Sequence, residues 1–249
     1  MDRDLLKEFR IRCYAELNDF LPSRQRQKSF VYALKTPVAV EEVIESLGIP
    51  RSEVDLVLVN SQPALFSQRL FEHDHISIYP TFGTLDISSL KDAVDPPLRT
   101  TRFILDAHLG KLAKYLRMLG FDSLYRNDYK DREIIQQAAE DGRIILSRDR
   151  QLLTSKEVTH GYYVRSVDKH DQLREVVRKY DLYNQFRSFT RCMTCNNELV
   201  PKDKEEIGHL VPCDTAKHFN EFFFCPDCRK VFWKGSHFQR MEALIRDLT

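Results

Sequence analysis

Between Arg102 and Asp149 short apolar runs alternate with helical stripes, and aspartates mark the turning points. Phe103-Ile104-Leu105 is an apolar run that stops at Asp106. Leu109, Leu112, Ala113, Leu116 and Leu119 then recur at helical spacing, and Gly120 supplies a C-terminal stop. Leu124-Tyr125 reads as a second strand. Asp131 opens another helix, with Ile134, Ile135, Ala138 and Ala139 on its inner face, and Gly142 closes it. Ile144-Ile145-Leu146 is a buried strand followed by Ser147-Arg148-Asp149. Strands alternating with helices in this way pair in parallel through right-handed crossovers. The working groups of such sheets gather beyond the carboxyl ends of the strands. Asp106 and Asp149 fall at two such ends, and Asp131 can face them from its helix N-terminus. The fold class expected is α/β, continued by a strand at Tyr162 to Arg165 and a helix from Asp171 to Tyr180.

Three carboxylates at one sheet edge repel one another and are comfortable only with a cation present. Hard divalent ions take oxygen ligands, and Mg²⁺ or Mn²⁺ held this way activates water and neutralises charge on a phosphodiester. An aspartate between a strand and a helix is also an ordinary N-cap, and each of the three taken alone reads more readily as that; taken together, the topology favours a shared site. Lys111, Lys114 and Arg117 recur at i, i+3 and i+6, on what reads as the face opposite the leucine stripe, and Arg148 and Arg150 flank Asp149. These cations are placed to hold phosphates without reading sequence. His108, two residues past Asp106, reads as a packing residue.

The N-terminal third has a different pattern. Residues 9–17 alternate apolar and polar as a half-buried strand, Phe20-Leu21-Pro22 turns, and Gln27 to Leu34 gives a second strand. A helix from Val38 to Leu47 ends at Gly48, and strands follow at Val54 to Asn60 and His75 to Pro80. The order ββαββ is that of a β-grasp module, with Cys13 a buried structural thiol. Residues 84–100 contain Pro96-Pro97 and no periodicity, so they read as a linker.

Five of the six cysteines lie after residue 191. Cys192-Met-Thr-Cys195 and Cys225-Pro-Asp-Cys228, separated by 29 residues, form the two knuckles of a zinc ribbon. Four thiolates then close a tetrahedral structural Zn²⁺ site. Cys213, His209 and His218 lie between the pairs as weaker competitors. Phe232, Trp233 and His237 read as cover for a small metal-stabilised core, or as stacking platforms for unpaired bases.

The net charge of +1 conceals an uneven distribution. Residues 99–191 carry 19 basic and 13 acidic residues, whereas the flanking segments are acidic or balanced. A local basic field suits a polyanion. No apolar run approaches the roughly 18 residues of a membrane helix, and the N-terminus has no signal-peptide pattern, so a cytoplasmic protein is expected.

Two resemblances sharpen this reading. Residues 41–50 (Glu-Glu-Val-Ile-Glu-Ser-Leu-Gly-Ile-Pro) and 55–60 (Asp-Leu-Val-Leu-Val-Asn) resemble the ubiquitin-like domain fused ahead of Mut7-C nucleases. The module is also similar to small sulfur carriers. It has no Gly-Gly tail and runs into another domain, which points to docking of a protein partner or a structural role. Residues 103–122, 131–135 and 144–149 resemble the PIN-like Mut7-C RNase domain, and 221–237 its terminal portion. The resemblance implies metal-dependent RNA cleavage, with Asp106, Asp131 and Asp149 as metal ligands and Ser147 as the hydroxyl orienting Asp149. A further acid common in PIN domains has no certain counterpart, with Asp122, Asp128 and Glu133 as candidates. Four segments are expected: a β-grasp domain at 1–83, a linker at 84–100, a PIN-like nuclease domain at 101–187 and a zinc ribbon at 188–249. The alternative function is a non-catalytic RNA- or ribosome-associated adaptor on the same fold.

Overall fold

The computed structural model describes residues 6–35, 38–80, 100–188 and 190–236, together with 238, 239, 243 and 246. All of the expected linker except Thr100, and His237, lie outside these residues. Strand β1 (Leu6–Cys13) pairs antiparallel with β2 (Phe30–Lys35), from Leu6↔Lys35 to Ile11↔Phe30. Helix α1 (Val40–Ser46) follows, then β3 (Val54–Val59), the two-residue β4 (Gln62–Pro63) and β5 (His75–Pro80). The sheet runs β2-β1-β5-β3-β4, with β1 and β5 parallel at its centre, as a β-grasp requires. The period-two pattern puts Phe9, Ile11 and Cys13 into one core with Val40, Val43 and Ile44 of α1. Burial pushes the Cys13 thiol up to about 12, which keeps it protonated and inert.

The first strand stops earlier than its alternation implies. Ala15 takes a positive φ of 45°, and Ala15–Phe20 winds into a 3-10 turn. The buried Asn18 amide donates to the carbonyls of Cys13 and Ala15 at 3.0 and 2.9 Å, and its oxygen accepts from the Gln27 amide at 2.6 Å. A tight hairpin is thereby replaced by a loop that one side chain satisfies, and β2 begins only at Phe30.

The α/β region contains β6 (Phe103–Leu105), α2 (Gly110–Met118), β7 (Ser123–Tyr125), α3 (Asp131–Asp141), β8 (Ile144–Ser147), α4 (Arg150–Leu153), β9 (Gly161–Tyr163) and α5 (Lys169–Lys179). β6 runs parallel to β7, and β8 parallel to β9, as the alternation demands. The leucine stripe of α2 is buried without exception at Leu112, Ala113 and Leu116. Gly120 ends that helix at φ +96°, and a Cβ there would lie 2.3 Å from the Arg187 carbonyl oxygen, so no other residue fits without displacement. The C-terminal region forms an antiparallel sheet β10-β11-β12 (Val200–Asp203, Glu221–Phe224, Val231–Trp233). The short helices α6 (Lys204–Ile207) and α7 (Cys213–His218) precede β11. Ile207, Val211 and Phe222 make its small core, with Trp233 packed against them as cover.

Contacts group the chain into two compact units, Met1–Arg99 with Asp131–Tyr163 and Thr100–Lys130 with Val164–Thr249. In the first, the β-grasp module grips the segment that carries Asp149. Glu53, wholly buried, accepts a hydrogen bond from the Tyr163 amide at 2.5 Å. The Arg150 guanidinium lies 5.1 Å from the ring centres of both Phe20 and Tyr163 and donates to the Asp19 carbonyl at 3.0 Å. Arg150, although exposed, thus also ties the β-grasp module to this segment. Two cation–π contacts of about 0.5–1 kcal/mol each give it its worth. Glu53→Ala, which leaves the Tyr163 amide without its acceptor, is expected to cost about 1–3 kcal/mol. Arg150→Ala is expected to cost about 1–2 kcal/mol. Urea denaturation of the full chain, read as a shift in midpoint at constant slope, checks both.

Candidate functional site

Two knuckles of the same design present the four cysteines. In the first, the Asn196 amide donates to the Cys192 carbonyl and the Cys192 amide to Asn197, at 2.9 and 2.8 Å. In the second, Arg229 donates to Cys225 and Cys225 to Lys230, both at 2.9 Å. The fifth residue of each knuckle has a positive φ, 72° at Asn196 and 56° at Arg229, which folds the chain back on itself. Sulfur meets sulfur at 3.5 Å for Cys192–Cys228 and 3.3 Å for Cys195–Cys225, and all four Sγ atoms lie within 4.8 Å of one another. Tetrahedral Zn–S bonds of about 2.3 Å require sulfurs roughly 3.8 Å apart, so this donor set fits zinc. Burial pushes the Cys195 thiol up to about 12 and raises Cys228 as well. At Cys225 burial acts the same way, but the Cys228 amide and neighbouring thiols outweigh it and the thiol is lowered. A divalent cation would replace these crowded protons. Cys213 is exposed and, among the described residues, belongs to no such cluster.

Arg117 connects these knuckles to the α/β region and corrects an expectation. It is only 3% exposed, so it is not part of a phosphate-binding face. Three residues fall short of a helical turn, and by i+6 the side chain has rotated about 120° from Lys111 toward the apolar stripe. Its Nε donates to the Ser123 carbonyl at 2.8 Å, and its Nη1 to the Thr194 and Met193 carbonyls at 2.9 and 3.3 Å. Burial lowers its proton affinity, which the nearby Cys192 and Cys195 oppose. Asn196 adds a second tie, accepting from the Ser123 amide at 2.9 Å and donating to Asp122 at 2.7 Å. Asp122 is therefore bound up with the knuckle, and Asp128 pairs with Arg126 at 2.8 Å on an exposed turn.

The acids expected to hold a catalytic metal fall in both units. Asp106 ends β6, is 8% exposed, and gives no side-chain cap to the 3-10 turn that follows. Asp131 is the exposed first residue of α3. Asp149 does cap its helix, one carboxylate oxygen accepting from the Gln151 amide at 2.7 Å. The buried Ser147 hydroxyl accepts from the Asp149 amide at 2.8 Å, which fixes the turn on which that carboxylate sits. Arg148 beside them is half-buried.

Within the second unit, Lys111 and Lys114 line an open cleft of about 630 Å³. His108, Gly110, Tyr125, Val167, Asp168, Lys169 and Gln172 complete its wall. The two lysines were legible as a basic stripe. Lys169 was not, because it reaches the cleft from a helix more than fifty residues away in sequence.

A family model for the Mut7-C RNAse domain matches residues 101–245, and one for Mut7-C ubiquitin matches residues 6–86. No curated protein and no solved structure matches the chain. Among the described residues no helix is long and apolar enough to cross a membrane.

Removing zinc from the purified protein with a thiol-selective mercurial is expected to release one Zn²⁺ per chain, read with a colorimetric chelator, and to unfold residues 190–236. Arg117→Met, which removes hydrogen bonds from a charged donor to three carbonyls, is expected to cost roughly 2–3 kcal/mol and to speed zinc loss.

Proposed function

Because the chain belongs to the Mut7-C RNase family, we propose that it hydrolyses RNA phosphodiester bonds at a Mg²⁺ or Mn²⁺ ion held by Asp106, Asp131 and Asp149. The match across residues 101–245 carries this reading, since that stretch holds all three acids and Ser147. The donor set suits a hard cation: three carboxylates, with Asp149 engaging a single oxygen on an amide. When bound, such an ion supplies an activated water and offsets the charge developing on phosphate. The residues of the chain do the positioning. Ser147 sets the turn on which Asp149 sits, and Lys111, Lys114 and Arg148 supply positive charge for the phosphates. Cytoplasmic RNA is the substrate in this reading, and a protein partner would use the part of the β-grasp module that does not grip Tyr163 and Arg150.

Cleavage of a mixed single-stranded RNA pool in Mn²⁺ tests the proposal. Asp149→Asn is expected to lower the rate by roughly two orders of magnitude or more, the size of effect that follows loss of a preorganised electrostatic group. Cleavage that survives this substitution, or that needs no divalent ion, would contradict it. Wild-type protein that binds RNA and never cuts it would instead make the chain an adaptor.

A further inference from the structure

The cleft beside α2 is built more specifically than a solvated basic face. Gly110, the first residue of α2, has no room for a side chain: a Cβ would lie 2.5 Å from the Tyr125 hydroxyl oxygen and 2.6 Å from its ring carbon. That vacancy lets the tyrosine lie across the start of the helix, where its hydroxyl donates to the Ala107 carbonyl at 3.0 Å. The Tyr115 hydroxyl and His170 Nε2 lie 3.0 Å apart and tie α2 to α5. The starts of both helices therefore open onto one cavity, with Gly110 and Lys111 from the first and Asp168 and Lys169 from the second. The one acid on this wall, Asp168, caps the second helix by accepting from the amides of His170 and Asp171 at 2.8 and 3.3 Å; it stays ionised, and the wall keeps a net positive charge. Three lysines and His108 are left facing the space. Val167, at 81% exposure, gives the cleft an apolar edge.

We propose that this cleft is the seat of a single RNA strand, with the phosphates of one or two nucleotides held by Lys111, Lys114 and Lys169 and a base resting against Tyr125 and Val167. A cavity of about 630 Å³ lies in the range of small-ligand pockets, roughly 300–1,000 Å³, and has room for a nucleotide. Lysines neutralise phosphate without reading sequence, and aromatic contact with a base is equally tolerant, so the site accepts strands of mixed sequence. His108 and Gly110 lie two and four residues past Asp106, so the cleft opens on the segment that follows β6 and that acid. The inference rests on the ribonuclease reading for the identity of the polyanion, and it is tested by binding alone.

The probe is a fluorescein-labelled single-stranded 12-nucleotide RNA of mixed sequence, titrated by anisotropy with zinc-replete full-length protein and no added Mg²⁺ or Mn²⁺, across a series of KCl concentrations. Lys111→Ala, Lys114→Ala and Lys169→Ala are each expected to weaken binding about fivefold at 0.1 M salt and to reduce the slope of log K against log salt by about 0.7, the worth of one phosphate contact. Lys28→Ala, on the β-grasp module, is expected to change neither. Gly110→Ala, which forces Tyr125 aside without altering charge, is expected to weaken binding while leaving the salt slope unchanged. Zinc content and circular dichroism of each variant verify the fold. Binding that ignores all three lysines, or a wild type with no affinity for the strand, would overturn the proposal. Loss of binding in the lysine variants of a protein that never cleaves RNA would uphold the cleft and defeat only the nuclease.

Discussion

A guanidinium cannot shed its proton, so burying one obliges the chain to bring acceptors to it. Arg117 sets that constraint here. Near the end of α2 it reaches the carbonyls of Ser123, Met193 and Thr194, and so ties the helix and β7 to the first cysteine knuckle. Asn196 and Asp122 close the same junction from the other side. The four thiols are therefore more than a staple for the C-terminal sheet. A metal that fixes the knuckle also fixes the carbonyls on which Arg117 depends, and through Arg117 the helix whose opposite end lines the basic cleft.

The β-grasp module has a comparable part in the other unit. Here Glu53, Phe20 and the Asp19 carbonyl engage Tyr163 and Arg150. Arg150 directly follows Asp149, and the helix that Asp149 caps begins with it. The module thus buttresses the turn carrying an acid that the functional reading needs. A domain that could have been a detachable tag is built into the scaffold.

What could be read from the sequence, and what could not, divides by range. Periodicity is local, and it placed α2, α3, β8 and the β-grasp strands close to where they stand. The cysteine pairs were legible because thiolate chemistry leaves few alternatives at that spacing. Arg117 was misread because a basic i, i+3, i+6 series looks exposed until the helical rotation of its last member is followed to the apolar flank. The clamp on Arg150 and the bond from Tyr163 to Glu53 were invisible, since they join residues more than a hundred positions apart. Ala15 shows a smaller version of the same effect: an alternating pattern promised strand, and a buried asparagine offered the backbone a better set of bonds.

Catalysis of the proposed kind requires that Asp106, Asp131 and Asp149 share one hard cation. Titration of the zinc-loaded protein with Mn²⁺, followed by the loss of the free-ion electron paramagnetic resonance signal, measures this without reference to turnover. One Mn²⁺ bound per chain, with Asp106→Asn and Asp131→Asn each abolishing that binding while zinc stays in place, is the result predicted. Manganese uptake that is absent in the wild type, or that persists unchanged when either acid is replaced, would contradict it.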